Sequence, residues 1–136
     1  MTRELIVIDT NIVLDVVVFG DAAALPLKQA LECGKLDWLA TPPMRDELER
    51  VLAYAQIVPR LAFYKLKVED VLAAFDKHAR IVEVAAKAPV TCSDADDQGF
   101  IDLAVAHKAM LLSKDKAVTS MTKRLLAYGV VVRRTL

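Results

Sequence analysis

Only two cysteines, Cys33 and Cys92, occur in the 136-residue sequence, and neither has C-x-x-C spacing or a histidine cluster beside it. That isolation favours reduced thiols over a disulfide or a zinc site. Aromatic residues make up only 6% of the chain while hydrophobic residues reach 55%. The core is therefore expected to be aliphatic, which suits an α/β sandwich. Long apolar runs are missing too: Val16-Val17-Val18-Phe19 falls far short of the roughly 20 residues that a membrane span needs. Arg3-Glu4 with four apolar residues behind it does not make a secretory signal, so the cytoplasm is the expected location and no membrane partner is expected. Neither G-x-x-x-x-G-K-[ST] nor G-x-G-x-x-G is present, which counts against nucleotide binding. The net charge is zero, which argues against a generally basic nucleic-acid coat.

The length fits a single domain, residues 1–136, able to bury roughly two-thirds of its unfolded surface. No internal repeat, low-complexity tract or linker interrupts it. Strand patterns at about 4–8, 37–40, 81–84, 110–113 and 130–132 alternate with helical patterns at about 11–19, 23–33, 42–55, 67–79, 97–107 and 117–127. Gly34 is expected to close the second helix, Pro59 to interrupt the third and Gly129 to cap the last. Alternation of this kind predicts a mostly parallel sheet covered on both faces.

Four acids stand where strands end or helices begin. Asp9 ends the apolar run Leu5-Ile6-Val7-Ile8, rich in β-branched residues, and is followed by Thr10 and Asn11. Asp115 closes Ser113-Lys114-Asp115 after Met110-Leu111-Leu112. Glu47 lies in a helix announced by Thr41-Pro42-Pro43, with Thr41 as N-cap and Pro42 at the first helical position. Asp97 ends Ser93-Asp94-Ala95-Asp96-Asp97, just before an apolar helix. Parallel strands would bring Asp9 and Asp115 to one rim, because open α/β sheets build their sites beyond the carboxyl ends of the strands. Taken singly, each acid also fits a capping or solvated role, Asp9 least readily because it ends an apolar strand and is followed at once by Thr10 and Asn11. Asp94 and Asp96 read as loop or cap residues, Asp94 close enough to support the site. Asp102 lies about 140° around its helix from Asp97 and falls outside the pocket.

Four carboxylates within several Å of one another repel strongly unless a cation offsets their charge. Oxygen ligands without His or Cys suit Mg²⁺ or Mn²⁺, and such a centre can activate water against a phosphodiester. From Leu103 onward seven basic residues (Lys108, Lys114, Lys116, Lys123, Arg124, Arg133, Arg134) face the single acid Asp115, a skew that fits a phosphate-binding surface as well as a solvated face. An aspartyl phosphotransferase would also place an acid after the first strand, but Asn11 stands where the dehalogenase-like phosphatases have a second Asp.

Asp9-Thr10-Asn11, Glu47, Ser93-Asp94-Ala95-Asp96-Asp97 with Phe100-Ile101 and Ala104, and Ser113-Lys114-Asp115 together resemble the PIN domain, the family that includes VapC-type toxins. The resemblance covers nearly the whole chain. It implies a three-layer α/β sandwich and a Mg²⁺- or Mn²⁺-dependent endoribonuclease, with Asp9, Glu47, Asp97 and Asp115 as metal-binding and catalytic residues. Thr10, Asn11, Ser113 and Lys114 are expected beside the substrate. RNA is the expected partner, and the resemblance admits an antitoxin protein and a homo-oligomer. Lys114 stands where family members often have Gly, and Lys116-Ala117 where they often have a further acid. The first departure bears on phosphate binding and metal affinity, the second on holding a second ion. A PIN-like module that binds RNA or a protein partner without cleaving is the alternative.

Overall fold

A computed structural model describes residues 3–136. Its sheet has five strands, all parallel, in the order β3-β2-β1-β4-β5. They are β1 (Glu4–Ile8), β2 (Leu36–Ala40), β3 (Ala79–Ile81), β4 (Met110–Leu112) and β5 (Val132–Arg133). The helices between them are α1 (Thr10–Leu14, continuing as a π-helix to Phe19), α2 (Leu25–Glu32), α3 (Pro42–Leu52), α4 (Val58–Phe63), α5 (Val68–His78), α6 (Gln98–His107), α7 (Lys116–Thr119) and α8 (Thr122–Leu126). Successive side chains of a strand point to opposite faces, and Ile6, Val7 and Ile8 of the central strand are all buried, so helices cover both sides of the sheet. This is the three-layer α/β sandwich expected, with a wholly parallel sheet. The core is aliphatic around one aromatic contact, Trp38 edge-on to Phe75 with ring centroids 5.0 Å apart. Among the described residues, no single helix is long and apolar enough to cross a membrane.

From β1 the chain winds outward through β2 to β3, then returns to the other side of β1 as β4. The order therefore reverses between β1 and β4, the kind of place where open α/β sheets carry their sites. Pairing runs one residue past β1, since Asp9 N–H donates to Leu112 C=O at 2.9 Å. Asp9 and the segment after β4 are thus fixed side by side.

Several boundaries differ from the sequence expectation. The third strand lies at Ala79–Ile81, not 81–84. Among the described residues its one neighbour, β2, ends at Ala40, and after a last bond from Val82 N–H to Ala40 C=O the chain finds no further ladder partner there. The last strand begins at Val132, not Val130, because Val130 N–H caps α8 by bonding Leu125 C=O, with Gly129 at φ +81°. The expected helix over 117–127 is two helices. Ser120 and Thr122 hydroxyls bond the Ala117 and Thr119 carbonyls at the break, the competition that weakens helix interiors. Pro59 lies in the first turn of α4 and so begins a helix instead of interrupting one. Gly34 does close α2, at φ +76°.

Candidate metal centre

Three of the four acids converge. Carboxylate oxygens of Asp9, Asp97 and Asp115 all lie within 4.8 Å of one another. Each is placed by a different junction: Asp9 follows β1, Asp97 ends a 3-10 turn and serves as the N-cap residue of α6, and Asp115 is the N-cap of α7. Asp9 and Asp97 are buried, and Asp115 is partly exposed, so the cluster opens to solvent on one side.

The donors around these acids set their roles. Asp9 Oδ2 accepts a 2.6 Å hydrogen bond from Ser113 Oγ, which in turn accepts from Asp115 N–H at 3.1 Å. Asp115 Oδ1 accepts from Ala117 N–H at 2.9 Å. Asp97 Oδ2, by contrast, is buried without any hydrogen-bond partner among the described residues. A buried, unpartnered carboxylate oxygen between two other carboxylates is costly unless something positive meets it. Burial, followed by the charges of Asp9 and Asp115, pushes the Asp97 carboxyl up to about 7. Burial likewise raises Asp9, against the pull of the Ser113 hydroxyl and the backbone N–H groups at the start of α1. An all-oxygen set with one orphaned oxygen fits a hard divalent cation.

Glu47 stands one step out from this trio. It is half-buried on α3, and its Oε2 accepts from Thr10 Oγ1 at 3.3 Å. Burial and the nearby charge of Asp9 raise its proton affinity despite that bond. The Thr10 hydroxyl therefore links the α1 start to Glu47 and leaves Asp9 to Ser113. Asn11 is exposed and its side chain makes no hydrogen bond among the described residues. Ser113 is wholly buried, so its hydroxyl orients Asp9 from within and presents no surface to a substrate. The Lys114 ammonium pairs with Asp15 of the π-helix and with none of the three acids. Asp94 accepts from Asp96 N–H at 3.0 Å, the cap expected of it.

Sequence reasoning did not single out Gln98. Its Oε1 accepts from Cys92 N–H at 2.6 Å, while its Nε2 donates to Val90 C=O at 3.0 Å and to Asp102 Oδ1 at 2.7 Å. Asp102 Oδ1 also accepts from Ala88 N–H at 2.8 Å. This pair pins the long loop that delivers Asp97, and Asp102 is used there, away from the trio. The i, i+4 spacing of Gln98 and Asp102 was the available signal. Asp15, the partner of Lys114, had no signal in the sequence beyond its charge.

Residues 5–117 match the family model for the PIN domain, and the chain belongs to that family. Among solved structures, a chain of the VapBC2 assembly from Rickettsia felis, crystallised bound to a DNA fragment from its promoter, is similar with a TM-score of 0.62 and 12% sequence identity, over 95% of this chain and 97% of that one. At that identity the likeness speaks for the fold. Comparison with curated proteins gives no match.

Proposed function

We propose that the protein is an endoribonuclease that uses Mg²⁺ or Mn²⁺ held by Asp9, Asp97 and Asp115, with Glu47 at the edge of the same site. The observation that carries this reading is the buried, unpartnered Asp97 Oδ2 within a three-carboxylate cluster. The chemistry a divalent cation would supply, held by these three carboxylates, is activation of water and neutralisation of charge on the phosphodiester.

The residues divide the work. Ser113 holds Asp9, and Ala117 N–H holds Asp115, so two ligands are oriented in advance. Asp97 contributes the oxygen that nothing among the described residues satisfies. Glu47, with its raised proton affinity, is suited to accept the proton that the attacking water loses as its bond to phosphorus forms, while the leaving ribose oxygen takes a proton from solvent as its bond to phosphorus breaks. Lys114, whose charge beside Asp115 would argue for a module without a metal, is engaged by Asp15. Family membership and the likeness to a VapBC2 chain support a further reading as the toxin of a toxin-antitoxin pair, with an antitoxin protein as partner.

End-labelled single-stranded RNA incubated with the protein tests the proposal. Cleavage is expected with Mg²⁺ or Mn²⁺ and not in EDTA, and Asp97→Asn should lose it. Cleavage that survives chelation, or that the folded Asp97→Asn protein retains in full, contradicts the reading.

A further inference from the structure

A cavity of about 420 Å³ opens beside Glu47, between α3 and the start of α6. Glu47 and Arg50 lie three apart on one face of α3, and Tyr54 follows four residues later, just past the helix end, so all three line one wall. Val84, Gly99 and Asp102 stand on the other side. The lining acids Glu47, Asp96 and Asp102 outnumber Arg50, which makes the space a poor receptor for a second phosphate. It suits a neutral planar group that carries N–H donors.

Three features point the same way. Tyr54 is 48% exposed, so its ring is available as a stacking surface. Asp102 engages Ala88 N–H and Gln98 through Oδ1 alone, and its Oδ2 makes no hydrogen bond among the described residues. At Gly99 an added Cβ would meet nothing within 4 Å, so the backbone there borders open space. We propose that this cavity binds one unpaired nucleobase of the RNA, adjacent to the acidic cluster, with Tyr54 against its face and carboxylates accepting from its amino or imino edge. Bases in single strands are bound in this way, face on an aromatic ring and edge to polar groups. The inference rests on the ribonuclease reading, because the strand must run from the cluster into the cavity.

The test uses single-stranded RNA heptamers, one intact and seven each carrying a single abasic site, with binding read by fluorescence anisotropy in Ca²⁺. For the unmodified protein, one abasic position should weaken binding by about tenfold, the size of effect expected when one stacked base is lost. Tyr54→Phe should keep that dependence. Tyr54→Ala should lose it while Mn²⁺ affinity stays unchanged. Gly99→Leu, which fills the cavity from the open side, should weaken the intact heptamer and lose the dependence as well. Equal binding of every abasic heptamer by the unmodified protein overturns the base site and leaves the ribonuclease reading standing. So does a position-specific loss that persists in Tyr54→Ala. If the unmodified protein binds no heptamer at all, the ribonuclease reading fails first and the base site with it.

Discussion

Ser113 Oγ donates a 2.6 Å hydrogen bond to Asp9 Oδ2 across 104 residues of sequence, joining the ends of the two strands between which the sheet order reverses. The bond orients one acid of the cluster, and the same hydroxyl holds the backbone of another through Asp115 N–H. Ser113→Ala should therefore weaken Mn²⁺ binding by roughly tenfold or more, the usual effect of losing a group that orients a ligand. It should also cost about 1–3 kcal/mol of stability, since a buried bond to a charged acceptor is lost. Calorimetric titration and a denaturant melt measure the two effects, and an unchanged metal affinity would leave Ser113 a purely structural residue.

Asp9→Asn should abolish RNA cleavage yet leave the metal-free protein as stable as before or more so. One charge is removed from a repulsive cluster at the same time as a ligand. Full activity in the folded variant would remove Asp9 from the metal site.

The Asp97 carboxyl is pushed from 3.8 to about 7 in the folded protein. Between those values the folded state binds more protons than the unfolded one, so this group makes metal-free stability fall as pH rises, with the loss complete above about pH 7. Asp9 shifts in the same direction. The melting temperature in EDTA should drop between about pH 4 and about pH 7, and Mg²⁺, which binds the folded state, should raise it more at the upper end. Asp97→Asn should flatten the metal-free profile. A melting temperature that rises over this window, after allowing for that variant, contradicts the placement of the three acids.

Lys123 and Arg124 are exposed on α8, which follows Asp115 and α7 closely in the chain. If they guide the RNA backbone, replacing both by Ala should weaken binding and flatten its salt dependence by roughly 0.7 per lost contact. Metal affinity should not move. Unchanged affinity and slope would make this face merely solvated.

Much of the fold was legible because its signals are local. The apolar, largely β-branched run 5–8 announced the central strand, and Thr41-Pro42 marked the start of α3. The misplaced edges, β3 and β5, depend on where a neighbouring strand ends and on which N–H group a helix cap takes, and neither is written in the segment itself. At the site, the junction positions of Asp9 and Asp115 could be read because the termini of parallel strands share a rim, and that of Asp97 because it stands just before an apolar helical pattern. The inward turn of Ser113 and the pairing of Lys114 with Asp15 could not, since each depends on a contact about a hundred residues away in sequence. Gln98 escaped for a related reason: its partners are mostly backbone groups of an irregular loop.

Anomalous diffraction from crystals soaked in Mn²⁺ tests the central claim most directly. The expected result is a single strong peak among the carboxylates of Asp9, Asp97 and Asp115, in contact with Asp97 Oδ2, that disappears in Asp97→Asn crystals. No peak there at millimolar Mn²⁺, or a peak that Asp97→Asn leaves in place, would contradict the account.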